Sequence, residues 1–123
     1  MKTILVADDD PAIAEVLRQS LESEGYETYK VTESLRFFDA VMQYQPDIIL
    51  LDLMMPYLDG EDELRLLQMT PSARNIPVIV ITAKHEAKLD EARYRPLGVV
   101  EILTKPFDLD KLVSLIRSTV EVH

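Results

Sequence analysis

Short apolar segments alternate with longer amphipathic ones along this 123-residue chain, and the alternation is the strongest constraint on its fold. Short runs rich in Ile and Val, apolar at successive positions, are typical of strands that are covered on both faces. Strands that alternate with helices in this way predict an α/β protein, with a parallel sheet, right-handed crossovers and helices on both faces. The predicted strands are TILVA (3–7), ETYKV (27–31, alternating and so expected at an edge), DIILLD (47–52), PVIVIT (77–82) and VEILT (100–104).

The intervening segments have the apolar spacing of amphipathic helices. Asp10 is a favourable N-cap for the first helix, Pro11 suits its first position, and Gly25 suits its end. Thr32 is expected to cap the second helix, with Leu35 facing inward. The fourth helix is the weakest because its apolar face is thin, and Pro96 should end it early. The predicted helices cover 11–24, 33–45, the segment EDELRLLQM after Gly60, 85–97, and a last helix from Leu109 to Val120 capped by Asp108.

The composition is that of a folded but strongly acidic protein. It has 22 acidic against 13 basic residues and a net charge of −9, so direct binding to nucleic acid or to an anionic membrane is not expected. The absence of cysteine excludes disulfides and thiolate metal sites. Neither a signal peptide nor a bilayer-spanning segment is visible, and the expected location is cytoplasmic. The length is that of one domain, residues 1–123.

Polar and charged side chains stand at the carboxyl ends of four predicted strands. Asp8 and Asp9 follow the first strand, Asp52 ends the third, Thr82 ends the fourth, and Lys105 follows the fifth. Because the carboxyl ends of parallel strands share one edge of the sheet, we expect these side chains to converge on one pocket. Taken singly, each has an ordinary explanation, such as a polar turn, a helix cap or a solvated lysine. Their coincidence favours a functional site.

The chemistry of this set is that of phosphoryl transfer. Several neighbouring carboxylates need either raised pKa values or a cation, and oxygen ligands without His or Cys nearby favour Mg²⁺. Lys105 could pair with Asp52 or with an incoming phosphoryl oxygen, and the Thr82 hydroxyl could donate to another such oxygen. The acceptor would be a carboxylate, since aspartate can form an acyl phosphate.

The segments ILVADDD, DIILLDLMMPYLDG, PVIVITA and ILTKPF resemble, in order and spacing, the receiver domain of two-component response regulators. The resemblance covers essentially the whole chain and implies a doubly wound, flavodoxin-like (βα)5 fold with strand order 2-1-3-4-5. It implies a switch in which Asp52 takes a phosphoryl group from a sensor histidine kinase or a histidine phosphotransfer protein. The output would lie on the 82–105 side. The downstream effector stays unidentified, and a homodimer stays open.

The resemblance also implies the metal ligands. Asp9 is expected to bind Mg²⁺ directly and Asp8 to help through a water molecule. Asp52 and the backbone carbonyl of Met54 would complete the set of protein ligands.

Further positions are implied to govern the switch. Lys105 would contact the phosphoryl group, and Thr82 would move toward it on activation. Ala83 is small and would leave room beside the phosphate. Met54 and Lys84 would flank the phosphate and tune the lifetime of the phosphoaspartate.

The fifth strand carries one departure from the family pattern and one expected similarity. Ile102 stands three residues before Lys105, where the family usually has a Tyr or Phe whose ring rotates when the threonine moves. The usual aromatic relay is therefore absent. The bond from Lys105 to Pro106 is typically cis in the family, and X-Pro bonds are the ones in which cis is accessible.

Other functions stay open beside the switch. One is a receiver that is not phosphorylated and serves as an interaction module, for which Ile102 leaves room. A Mg²⁺-dependent phosphohydrolase is disfavoured because Met54 occupies the position, two residues after Asp52, where many such enzymes need a general acid. A flavin or nucleotide binder is disfavoured because three aspartates after the first strand would repel a phosphate. We expect a phosphoacceptor that assists its own phosphorylation and dephosphorylation rather than an enzyme.

Overall fold

The computed structural model describes residues 1–83 and 90–121 of the chain. These residues form a parallel sheet in the order β2-β1-β3-β4-β5, so the predicted strand order and the edge position of β2 are confirmed. All side chains of β3 and β4 are buried, as expected for central strands that are covered on both faces. The strands are β1 (Thr3–Ala7), β2 (Glu27–Val31), β3 (Ile48–Asp52), β4 (Val78–Thr82) and β5 (Val99–Thr104).

Helices cover both faces of this sheet. One face packs against buried side chains of the first and last helices, and the other against those of the second and third. One short 3-10 helix, Ser34–Arg36, precedes the second helix, and another, Arg95–Leu97, follows the fourth. The α-helices of the described residues are α1 (Pro11–Ser23), α2 (Phe37–Tyr44), α3 (Gly60–Met69), α4 (Glu91–Tyr94) and α5 (Leu109–Val120). The fold class predicted from the sequence is confirmed.

Aspartate side chains cap three of these helices. The Asp10 carboxylate accepts hydrogen bonds from the backbone N–H groups of Ala12 (2.9 Å) and Ile13 (3.4 Å), as predicted for α1. Asp108 caps α5 in the same way, also as predicted. Asp59, which the sequence analysis did not single out, caps α3. Each cap satisfies backbone N–H groups that have no partner within the helix.

The start of the second helix was predicted wrongly. Thr32 does not cap it, because the chain enters through a 3-10 helix whose N-cap is Glu33, and no side chain caps either helix. A 3-10 helix has three residues per turn, whereas an α-helix has 3.6, so different side chains face the sheet. Leu35, predicted to face inward, is therefore exposed, and Phe37 is buried instead.

The predicted fourth helix ends early in its described part, as Pro96 led us to expect. Residues 85–89 of the 85–97 prediction lie outside the described residues. The α-helix ends at Tyr94, and Pro96 lies in the 3-10 helix that follows. Gly98 then takes a left-handed φ of +90°, and a Cβ there would lie 2.6 Å from Nε2 of Gln68. This turn returns the chain to β5.

Candidate functional site

The carboxyl ends of β1, β3 and β5 bring Asp8, Asp52 and Lys105 together. Nζ of Lys105 lies 3.0 Å from Oδ2 of Asp8 and 3.1 Å from Oδ2 of Asp52. The two carboxylate side chains are only 3% exposed, and the Lys105 side chain is 21% exposed. One ammonium thus bridges two buried carboxylates, because an unpaired buried charge would be costly.

The second oxygen of each buried carboxylate is held by the backbone. Oδ1 of Asp8 accepts a hydrogen bond from the N–H of Asp10 (2.9 Å), and Oδ1 of Asp52 accepts one from the N–H of Met54 (2.8 Å). Both donors lie two residues after the acceptor, the local pattern typical of aspartate in a turn. Both carboxylates are therefore fixed in orientation before any ligand binds.

The pKa shifts indicate that the single ammonium does not fully balance the two buried carboxylates. Burial raises the pKa of Asp8, and the nearby charge of Asp52 adds to the increase, although hydrogen bonds from Asp10 and Lys105 offset part of it. Burial acts to lower the pKa of Lys105, but its hydrogen bonds to Asp8 and Asp52 outweigh burial and leave that pKa raised. The ammonium form of Lys105 is therefore firmly held.

Asp9 adds a third, exposed carboxylate to this pair. One carboxylate oxygen from each of Asp8, Asp9 and Asp52 lies within 4.8 Å of the other two. Three oxygen donors, one of them open to solvent, fit Mg²⁺, which binds through one or two carboxylates and keeps several waters. The residues present thus fit the predicted ion. The role of the Met54 carbonyl stays a prediction.

Thr82 and Ala83 lie at the neighbouring end of β4. Thr82 is fully buried and pairs in register with Thr104 of β5, and its carbonyl accepts a hydrogen bond from the N–H of Lys105 (2.8 Å). Ala83 follows and is exposed. Thr82 is therefore joined through the sheet to the residue that bridges the two carboxylates.

The remaining residues named from the sequence differ in position. Ile102 is buried in the core on the α2–α3 face of the sheet, so it does not line the carboxylate pocket. The peptide bond between Lys105 and Pro106 is cis, as the resemblance implied. Lys84 lies outside the described residues.

A groove that was not predicted from the sequence lies beside Asp9. The groove has a volume of about 380 Å³, and its lining includes Glu33, Ser34, Leu35 and Tyr57. Tyr57 has a left-handed φ of +61°. Nothing in the segment MPYLD predicts that conformation, because Gly and Asn are the residues that normally signal it.

Comparison with known proteins identifies the family. The response regulator receiver domain family matches residues 4–117. The chain belongs to this family. It is 34% identical over 118 residues to the DNA-binding dual master transcriptional regulator RpaA of Synechocystis, an alignment that covers 96% of this chain and 48% of that protein. The chain therefore spans about half the length of this relative.

Solved receiver domains have the same fold. The receiver domain of the Francisella response regulator 1452 is 31% identical, with a TM-score of 0.85 and 98% of each chain covered. The signal receiver domain of a signal transduction histidine kinase from Syntrophus aciditrophicus is also 31% identical, with a TM-score of 0.85 over 98% of this chain and 91% of that one. The chain is thus a flavodoxin-like receiver domain of a two-component system, and such domains are phosphoacceptor switches. Among its described residues, no helix is long and apolar enough to cross a membrane.

Proposed function

We propose that Asp52 is the phosphoacceptor of this receiver domain. The observation that supports it best is the bridge from Lys105 to Asp8 and Asp52, at 3.0 and 3.1 Å, beside the third carboxylate of Asp9. Asp52 would supply the nucleophilic carboxylate. The neighbouring carboxylates of Asp8 and Asp9 would form the pair that binds a cation. Asp8, Asp9, Asp52 and the Met54 carbonyl would hold Mg²⁺.

The transfer step would form one bond and break another. A carboxylate oxygen of Asp52 forms the O–P bond while the N–P bond of a phosphohistidine breaks, and the imidazole leaves. Lys105 donates to a phosphoryl oxygen, having first released one of its two carboxylate partners. Mg²⁺ held by Asp8, Asp9 and Asp52 would supply positive charge that favours the transition state. The Thr82 hydroxyl then donates to the phosphoryl group, which couples the site to the 82–105 side.

The tuning residues named from the sequence keep their proposed roles. Ala83 leaves room for the phosphoryl group, while Met54 and Lys84 set how readily water reaches the phosphoaspartate. The half-exposed side chain of Met54 supports this, because it lies at the surface two residues after Asp52. Ile102 replaces the usual aromatic relay, so the switch would work without a rotating ring.

The donor would be a sensor histidine kinase or a histidine phosphotransfer protein, in the cytoplasm, and the effector is a protein or a further domain. We propose that residues 1–123 form one domain. The net charge of −9 makes direct contact between this domain and nucleic acid unfavourable. We propose a switch that assists its own phosphorylation and dephosphorylation rather than an enzyme with an external substrate. Met54 supports this, because a phosphohydrolase would need a general acid two residues after Asp52.

Intact mass after incubation with Mg²⁺ and acetyl phosphate tests the proposal. We expect a single phosphoryl adduct that is labile to base, disappears in Asp52→Asn, and persists in Asp39→Asn, which removes an exposed carboxylate on α2. Absence of an adduct in the unmodified protein would contradict the proposal and favour an interaction module. Continuous release of phosphate from several phosphate esters would favour a hydrolase instead.

A further inference from the structure

The groove beside Asp9 has features that the phosphoacceptor role of Asp52 does not explain. Asp9 belongs both to the carboxylate cluster and to the groove, so the groove adjoins the proposed metal site. Ser34 donates a hydrogen bond to the carbonyl of Pro56, which joins the 3-10 helix after β2 to the loop after β3. Directly after these two residues come Leu35 and Tyr57, which are 84% and 94% exposed. Two large side chains thus flank the groove.

The ring of Tyr57 is not needed by the fold. Its backbone is left-handed (φ +61°), a conformation that costs about 1–2 kcal/mol for a residue other than glycine. Within residues 1–83 and 90–121, the Tyr57 side chain makes no hydrogen bond, and its exposure shows that it fills no part of the core. Strain of this kind at a site is a reason to look for function in the side chain.

The charges around the groove favour a cationic ligand. Asp9 and Glu33 both contribute carboxylates to its lining. Glu33 also pairs with Arg36 at 3.2 Å, but both side chains are mostly exposed, and such surface pairs are weak. Because Asp9 is committed to the proposed metal site, Glu33 is the carboxylate that remains available to a ligand in the groove. An exposed aromatic ring beside that carboxylate suits a flat organic cation, which the ring face attracts.

We propose that Tyr57 determines donor specificity by binding the protonated imidazole ring of the phosphoryl donor. The inference rests on the proposed role of Asp52 and names the leaving group that the site accepts. A phosphoimidazole protonated at its second nitrogen is a flat cation. When the O–P bond to Asp52 forms, the N–P electron pair returns to the ring nitrogen, and the ring leaves as neutral imidazole with its remaining N–H. Tyr57 and Glu33 stabilise the cationic ring before transfer, while Asp9 is committed to the proposed metal site. These two residues offer nothing comparable to an acetate leaving group.

The test compares two small donors, N-phosphoimidazole and acetyl phosphate, in the presence of Mg²⁺. Initial rates of Asp52 adduct formation are measured by intact mass, and the ratio of the two rates is the readout. Tyr57→Asn should lower that ratio about three- to tenfold, because the cation–π contact is lost. Asn tolerates the left-handed backbone, so this variant separates loss of the ring from backbone strain.

Companion variants sharpen the result. Tyr57→Phe should keep the ratio, since the ring remains, and Glu33→Gln should lower it in the same direction as Tyr57→Asn. Met69→Asn changes an exposed residue at the far end of α3 and should leave the ratio unchanged. An unchanged ratio in Tyr57→Asn overturns the inference while Asp52 remains the acceptor. Failure of both donors to modify the unmodified protein overturns the proposed function, and this inference with it.

Discussion

Asp8, Asp9 and Asp10 are adjacent in the sequence, but their carboxylates have different surroundings. Asp8 is buried against Lys105, and Asp9 is exposed beside it. The Asp10 carboxylate instead accepts hydrogen bonds from the first turn of α1. Because Asp10 caps α1 and lies outside the proposed metal site, single substitutions should affect helix capping and metal binding separately.

Asp10→Ala should lower the free energy of unfolding by about 1 kcal/mol, because the first turn of α1 loses its cap. The stabilisation by Mg²⁺ should persist, since Asp10 lies outside the cluster of three carboxylates. Urea denaturation with and without Mg²⁺ measures both quantities. Asp10→Ser retains a capping hydroxyl and should recover most of the loss. A variant that no longer responds to Mg²⁺ would instead make Asp10 part of the metal site.

At the scale of elements, α4 depends on its neighbours. A helix of four residues has little stability of its own, because forming the first turn is unfavourable. Arg93 of α4 donates from Nε and from its Nη2 to the two carboxylate oxygens of Glu61 on α3, at 2.6 and 2.7 Å. Tyr94 packs against the core beneath. The paired Arg93 and Glu61 therefore fix α4 on the side of the sheet that the proposed switch would use.

This pair should make stability depend on pH. The hydrogen bond from Arg93 lowers the pKa of Glu61 below its ordinary value of 4.5. A carboxyl with a lowered pKa stabilises the fold fully above the unfolded value, and the contribution is lost as the pH falls through the lower folded value. The difference in unfolding free energy between the unmodified protein and Glu61→Gln should thus be present at neutral pH and shrink below about pH 4.5. Asp62→Asn, also in the first turn of α3, is the control for the helix dipole. A Glu61→Gln difference that does not vary with pH would contradict the role of Arg93.

The sequence predicted the helices and strands well where a local pattern marks them. It predicted the structure poorly where contacts between distant residues determine it. Continuous apolar runs located most of the strands and an alternating run located β2, with β1 and β2 correct to the residue. The carboxyl ends of β1, β3 and β5 then located Asp8, Asp52 and Lys105. The 3-10 helix before α2 was missed because its apolar spacing also fits an α-helix. The Arg93–Glu61 pair spans 32 residues and leaves no local pattern. The cis bond before Pro106 followed from the family resemblance and not from spacing.

At the scale of the whole molecule, the site concentrates charge that the chain already carries in excess. Three carboxylates and one ammonium leave two formal negative charges at one edge of the sheet, in a chain whose net charge is −9. Repulsion of this kind destabilises a compact state. Without metal, the folded state therefore retains an unfavourable electrostatic repulsion, which a bound divalent cation would remove.

Mg²⁺ should accordingly raise the melting temperature of the protein. Binding to the folded state alone stabilises it by about 3 kcal/mol at a free ion concentration 100 times the Kd, or roughly 10 °C for a domain of this size. Asp9→Asn should abolish the increase, because the exposed ligand is lost. Without Mg²⁺ that variant should be at least as stable as the unmodified protein, since one of the repelling charges is gone. Differential scanning calorimetry, with NaCl at matched ionic strength to account for screening, measures both effects. A melting temperature that does not respond to Mg²⁺ in the unmodified protein would show that these carboxylates tolerate their proximity without a metal.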